Sequence, residues 1–432
     1  MERQRIERYI RDFQEKTFQP RERETKPKES QKIQTVIGAR RVGKTYVMYN
    51  KIKELEAGGI SRKQMIFINF ESPLLSELSF KEVRDIIEIH WSLYPESIHK
   101  KLYLFVDEPQ VIKNWELAIR DIYDNYDCRI FITGSSSKLL SKEIATSLRG
   151  RSISIQLLPL SFKEFLTFKD FNFKELSTKS KAQLMAYFEE YLSFGGYPEI
   201  VLEPDKNNKL KILKDYFDLV VFKDLVERHN IKNTKLIKIL MGSVIDSISK
   251  EFSLNKLYLT LKSQGMEVSK NTLYEYFSIL EDSFFIFTLR KTEDSKRKEE
   301  ISIPKVYLDD IGFLNLFSME EYGRRIENII FLHLIRKINE NPLLKINYFK
   351  TIDGKEVDFI ISEGKKFIGA IQSCYDTSEN RTEEREISPL LTALKRFNLK
   401  EGIILTKDES KEITINGKKI KFIPLWKWLI EN

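Results

Sequence analysis

Apolar residues at Ile6, Tyr9, Ile10 and Phe13 follow the i, i+3, i+4, i+7 spacing of one helix face, which predicts an amphipathic helix over the first 18 residues. Pro20 to Lys32 holds no large apolar residue and reads as a solvated linker. Five apolar runs of strand length follow: Ile33 to Ile37, Met65 to Phe70, Tyr103 to Val106, Arg129 to Ile132 and Ser152 to Leu158. Segments of helical period separate them, and that alternation predicts a βα-repeating, mostly parallel sheet. From Phe162 to about Ser243 helical patterns dominate, broken at Gly195-Gly196-Tyr197-Pro198.

Phe252 to Leu289 reads as two helices joined at Ser263-Gln264-Gly265, the second from about Ser269 to Asp282. Phe284 to Leu289 and Ile303 to Leu308, separated by a polar tip with Lys296-Arg297-Lys298, predict a two-stranded wing. Beyond Asp310 come helices at about Gly323 to Asn339 and Glu386 to Phe397. Strands are expected near Ile346 to Lys350, Glu356 to Ile361, Phe367 to Cys374, Gly402 to Thr406 and Ile420 to Pro424. The organisation expected is therefore an N-terminal helix and linker (1–30), an α/β core (31–165), a helical subdomain (166–243), a winged helix (244–310) and a terminal α/β domain (311–432).

Composition supports several globular domains: 432 residues, 41% hydrophobic and 31% charged, exceed what one core serves and exclude a disordered chain. Cys128 and Cys374 and four scattered histidines build neither a disulfide framework nor a zinc site, which points to a reducing cytoplasm. The charged N-terminus matches no secretory signal, and no apolar run approaches the roughly 18 residues of a membrane span. Lys plus Arg number 72 against 64 acids, a net charge of +8 that permits an anionic partner without requiring one.

Gly38-Ala39-Arg40-Arg41-Val42-Gly43-Lys44-Thr45 matches G-x-x-x-x-G-K-[ST], between the first strand and a helix bearing Met48, Ile52 and Leu55 on one face. The glycines let the backbone wrap an anion, and the helix start adds its positive dipole end. Lys44 would meet the β and γ phosphates of ATP, and Thr45 would ligate Mg²⁺. The run Leu102 to Val106 ends in Asp107-Glu108, so Asp107 would hold Mg²⁺ and Glu108 would take a proton from the attacking water. Thr133-Gly134-Ser135-Ser136 puts hydroxyls at the same edge, where Ser135 or Ser136 is a candidate sensor of the γ-phosphate; a Ser-rich turn is the plain alternative. Arg149 or Arg151 would stabilise transition-state charge in its own or a neighbouring subunit, or else forms an exposed basic turn.

With these motifs the chain resembles the archaeal and bacterial AAA+-type ATPases that carry a C-terminal restriction-endonuclease-like domain of unknown function. The resemblance rests on Gly38 to Thr45, Asp107-Glu108-Pro109-Gln110 with Asn114-Trp115-Glu116, Thr133 to Ser136, and Leu148 to Arg151 with Leu158-Pro159-Leu160-Ser161-Phe162. It continues through Gly195-Gly196-Tyr197-Pro198-Glu199, Lys305 to Phe313 and Glu356-Val357-Asp358-Phe359. It implies an α/β fold class: a P-loop NTPase parallel sheet of the AAA+/ASCE type with a helical subdomain, a winged helix and a PD-(D/E)xK-like α/β domain. The nuclease pattern departs at one strand. Asp358 is present and Glu327 is a candidate accessory acid, but the strand that should read Glu-x-Lys reads Gln372-Ser373-Cys374, which argues against metal-dependent cleavage.

In the winged-helix candidate, Ser269, Lys270, Asn271 and Thr272, with Glu275 and Tyr276 one turn on, open a helix suited to a major groove. Lys262, Arg290, Lys291, Lys296, Arg297 and Lys298 would meet phosphates, although Glu293, Asp294, Glu299 and Glu300 dilute the charge. The expectation is a cytoplasmic Mg²⁺-dependent ATPase that couples nucleotide state to domain rearrangement on DNA. Its rivals are a nucleotide-gated scaffold or switch that docks a protein through the winged helix or terminal domain, and an active DNA nuclease. An oligomer is compatible with each.

Overall fold

The apolar runs of the first half form one five-stranded parallel sheet in the computed structural model, which describes residues 2–27, 30–75, 78–135, 150–173, 177–317, 321–351, 353–375 and 380–432. Its strands are β1 (Ile33–Ile37), β2 (Met65–Asn69), β3 (Leu102–Asp107), β4 (Cys128–Gly134) and β5 (Ser152–Gln156), in the order β2-β3-β4-β1-β5. Strands β1 to β4 are buried along almost their whole length, which is why they read as continuous apolar runs. β5 lies at the edge and is largely uncovered. Among the described residues, the α-helices of this unit are α1 (Glu2–Glu15), α2 (Lys44–Ala57), α3 (Val83–Leu93) and α4 (Trp115–Asn125).

The stripe on α1 finds its cover within this unit, residues 1–157. Ile6 and Ile10 join a cluster with Val83 and Ile86 of α3, and Phe13 stacks on Phe67 of β2 with ring centroids 5.7 Å apart. The segment expected to be a solvated linker is corrected. Arg23 is buried and its Nη1 donates to Val42 O at 2.7 Å, while Asn50 Nδ2 of α2 donates to Arg21 O at 2.8 Å. Arginine brings enough hydrogen-bond donors to pack a polar strap against helix and loop, so the lack of apolar residues did not mean solvation.

The second unit, residues 158–432, begins with helices at Phe162–Phe168, Thr178–Phe194, Pro198–Leu202 and Lys206–Leu219. The last continues into a π-helical stretch, Val220–Glu227. Helices Thr234–Asp246, Leu254–Ser263 and Lys270–Asp282 precede an antiparallel ribbon of β6 (Ile286–Leu289) and β7 (Lys305–Leu308). A six-stranded mixed sheet follows, made of β8 (Leu344–Lys350), β9 (Glu356–Glu363), β10 (Lys366–Ser373), β11 (Glu401–Thr406), β12 (Lys411–Ile415) and β13 (Lys418–Pro424), in the order β12-β13-β11-β10-β9-β8. Helices Tyr322–Glu340 and Asn380–Arg396 pack against it. Edge strand β12 and the closing helix Leu425–Glu431 did not stand out in the sequence.

The two segments expected to form a wing do pair as this antiparallel ribbon, but it is not a solvated projection. Its tip is a short helix, Lys296–Ile301, and all four residues of β7 are buried. The ribbon adds onto β8: Thr292 N donates to Tyr348 O at 2.7 Å and Tyr348 N donates to Arg290 O at 3.1 Å. Val306, Tyr307 and Leu308 carry more apolar surface than a solvated ribbon can shelter, and docking on the terminal sheet covers it.

Two motifs more than 100 residues apart close on each other in this unit. Asp310 accepts hydrogen bonds from Gly196 N and Gly312 N, both at 2.7 Å, and Tyr197 Oη donates to Asp309 at 2.6 Å. Burial pushes the Asp310 carboxyl up to about 7 against those backbone donors. Gly195 is required here. Its φ of 75° lies in the left-handed region, and a Cβ would stand 1.7 Å from Asp310 Oδ1. Gly195→Ala is therefore expected to cost at least about 2 kcal/mol. A thermal melt checks this, and an unchanged melting temperature would show that the motif contact bears no load.

Candidate nucleotide site

β1 runs into Gly38, whose added Cβ would lie 2.2 Å from Leu157 O, so the first glycine of the loop is demanded by a backbone crossing as well as by any anion. Arg41 (φ 66°) and Gly43 (φ 96°) turn the loop back, and α2 starts at Lys44 with no side-chain cap and no acid in its first turn. The first N–H groups of α2 are thus left without a capping carboxylate, as an anion site needs.

Lys44 is buried, and its Nζ donates to Gly38 O at 3.1 Å and Ala39 O at 2.9 Å and sits 3.4 Å from Glu108 Oε1. Thr45 Oγ1 donates to Asp107 Oδ2 at 2.9 Å. Thr133 Oγ1 donates to Asp107 Oδ1, so both carboxylate oxygens are held. Burial pushes the Asp107 carboxyl above its ordinary range, opposed by these two hydroxyls. Glu108 follows in a left-handed conformation, φ 52° and ψ 48°, which costs a non-glycine residue about 1–3 kcal/mol. That turn aims its side chain back over the sheet edge, where Oε2 accepts from Ser135 N (3.2 Å) and Ser135 Oγ (3.0 Å), and also from Gln110 Nε2. Burial pushes the Glu108 carboxyl up, but Lys44, Arg40 and the hydrogen bonds from Gln110 and Ser135 outweigh it and hold it below the usual range.

Lys44, Thr45, Asp107, Glu108 and Ser135 thus converge as expected. Ser136 and Arg149 lie outside the described residues. Arg151 does not join them. It precedes β5, whose Ser152 is in register with Ile33 at the start of β1, so it sits at the sheet edge opposite the loop and pairs with Asp124 at 3.1 Å. Five residues of parallel strand, roughly 16 Å, separate the two edges, which removes Arg151 from the site of its own subunit.

A protein of Methanocaldococcus jannaschii, described as "Uncharacterized protein MJ1544", is 40% identical over 407 residues, covering 92% of this chain and 88% of that protein. The chain belongs to the MJ1544 family. An uncharacterized protein of Haemophilus influenzae is similar at 27% identity over 403 residues, with 92% of this chain and 95% of that one covered. Within the MJ1544-family chain, residues 30–166 match the model of an AAA domain, and residues 185–322 and 322–428 match two domains of unknown function, DUF8612 and DUF4143. The AAA-domain match and the five-stranded parallel sheet agree on a P-loop fold of the AAA+ kind. A DNA polymerase III gamma subunit-related protein from Thermotoga maritima aligns at 13% identity over 66% of this chain and 100% of its own, with a TM-score of 0.26, too low to bear on function.

Of the groups suggested for DNA contact, Lys270, Asn271, Lys296, Arg297 and Lys298 are exposed and Thr272 is half-buried. Tyr276 is a core residue, and Arg290 turns inward to donate to Ser302 O at 2.6 Å. Sequence reasoning gave no separate role to Thr133 or Gln110, which orient Asp107 and Glu108. The signal for Thr133 was its place at the end of the strand beside β3. Thr133→Val is expected to lower nucleotide-dependent turnover by roughly 10–100-fold with little change in the melting temperature. Steady-state kinetics beside a melt check this, and turnover at the parent rate would dismiss the anchoring role.

Proposed function

We propose that this protein is a Mg²⁺-dependent ATPase, and the observation that carries the reading is the convergence of Lys44, Thr45, Asp107 and Glu108 at the end of a parallel sheet. The donor set fits the cofactor: Thr45 Oγ1 and Asp107 Oδ2 are hard oxygens 2.9 Å apart beside an uncapped helix start. Mg²⁺ held there would neutralise charge on the phosphate oxygens. Lys44 exchanges the carbonyls of Gly38 and Ala39 for phosphate oxygens and leaves Glu108. Glu108, kept ionised by its surroundings, then accepts the proton of the attacking water, and Ser135 holds the carboxylate in place.

The nucleotide state would be passed to a partner. DNA is the reading favoured by exposed Lys270, Asn271, Lys296, Arg297 and Lys298. A protein partner is favoured by Leu259 and Tyr274, exposed on neighbouring helices of the same module.

Lys44→Ala is expected to abolish ATP binding in a fluorescent-nucleotide titration; tight binding in that variant would sink the site. Glu108→Gln should bind ATP normally and turn over at least 100-fold more slowly, about 2.7 kcal/mol in the barrier, while unchanged hydrolysis would remove Glu108 from the mechanism. Gel-shift titration against salt separates the partners. Affinity for DNA that falls steeply with salt supports phosphate contacts, and no binding at low salt leaves the protein-docking reading.

A further inference from the structure

The terminal domain contains a second buried constellation of charge that the nucleotide reading does not use. Lys305 of β7 is 1% exposed, and its Nζ lies 2.8 Å from Glu327 Oε1, 2.5 Å from Glu356 Oε1 and 3.3 Å from Asp358 Oδ1. Glu327 comes from helix Tyr322–Glu340, and Glu356 and Asp358 come from β9. An ammonium has three N–H donors, and here three carboxylates stand around it: Lys305 donates to Glu327 and Asp358 and forms an ion pair with Glu356. The separations are those of N–H···O bonds and a near ion pair; oxygen ligands of Mg²⁺ or Ca²⁺ approach to about 2.0–2.6 Å.

The rest of the surroundings fix the carboxylates to protein partners. Tyr307 Oη donates to Glu327 Oε1 at 2.8 Å, and its ring stacks on Phe331 with centroids 4.0 Å apart. Asp358 Oδ2 accepts from Ser373 N at 2.9 Å and Ser373 Oγ at 2.7 Å. Gln372 accepts from Asp358 N at 3.1 Å and donates to Glu386 at 2.7 Å. Burial, together with the neighbouring Asp358 carboxylate, pushes the Glu327 carboxyl up to about 8. Among the described residues no group of three His, Cys, Asp or Glu side chains is arranged to hold a metal ion.

We propose that the acidic cluster of the terminal domain is filled by a fixed cation from the preceding ribbon: the Lys305 ammonium of β7 occupies the Glu327, Glu356 and Asp358 cluster in place of a divalent ion, which makes the cluster a metal-independent joint rather than a hydrolytic centre. The joint ties β7 to β9 and to helix Tyr322–Glu340, on the ribbon that also pairs with β8 through Thr292 and Tyr348. Movement of the ribbon away from the sheet would strand a buried ammonium and its carboxylates together, so the two are held as one body.

The test uses the full chain without nucleotide. Mn²⁺ titration followed by electron paramagnetic resonance should give the same number of bound ions for the parent and for Asp358→Asn, and a chelator should leave the parent's melting temperature unchanged. Loss of one Mn²⁺ site in Asp358→Asn, or a chelator-dependent fall in melting temperature, would overturn the proposal. Lys305→Met should lower the melting temperature by roughly 6–20 °C, with part of the loss recovered when Asp358→Asn and Glu327→Gln are added. A Lys305→Met protein that melts like the parent would also overturn it. Should that variant fail to fold, the Mn²⁺ comparison decides alone.

Discussion

The nucleotide edge depends on the register of the parallel sheet. Asp107 at the end of β3 stands opposite Asn69 of β2 and Thr133 of β4, and Ile37 of β1 stands opposite Gly134. Parallel strands all point the same way, so their carboxyl ends deliver one side chain each to a common edge. A carboxylate, a hydroxyl and an anion-wrapping loop meet there without any contact designed for the purpose. A slip of one residue in β3 would turn Asp107 to the other face and pair Glu108 with the wrong strand end. The large buried aromatics Phe105 and Phe131, stacked with centroids 4.9 Å apart, help to hold that register from within the sheet.

The left-handed turn at Glu108 belongs to the same constraint. Strain of this size persists only where the surroundings overdetermine it, and Glu108 N donates to Thr133 O while its side chain is held by Ser135, Gln110 and Lys44. The strain and the burial of both acids are concentrated at the place where chemistry is proposed. The pairing of Lys44 with Glu108 keeps a buried ammonium and a buried carboxylate satisfied, and in the proposed reaction phosphate oxygens would take the place of the carboxylate beside Lys44.

In the second unit one short stretch of chain does a comparable structural task by different means. Lys305 to Gly312 begins in the three-carboxylate cluster and ends in the Asp310 knot with Gly196, so buried charge fastens this stretch to the terminal sheet and to the helices before it. Burial of several charges is unfavourable unless each finds its partners, and here the partners come from segments distant in sequence. Opening either knot would expose unpaired groups to an apolar interior, so the segment has few half-released states.

Much of this was legible in the chain. The loop Gly38 to Thr45, the carboxylates Asp107 and Glu108 and the strands around them show in the sequence because local spacing carries them: period 2 or continuous burial for strands, and consecutive residues for an anion-binding turn. For Arg151 the sequence left several roles open, because a residue one position before a strand could not be assigned to an edge of the sheet until the register of β5 against β1 was known. The burial of Arg23 and the docking of the ribbon on β8 were not visible because polarity alone does not tell whether a segment finds partners elsewhere. Lys305, Glu327, Glu356 and Asp358 span more than 50 positions and share no periodicity, so their meeting follows from packing of the ribbon on the terminal sheet. The sequence by itself determined the elements and the chemistry carried by contiguous motifs; tertiary structure decided which distant charges neutralise one another, since that balance exists only once burial removes water from between them.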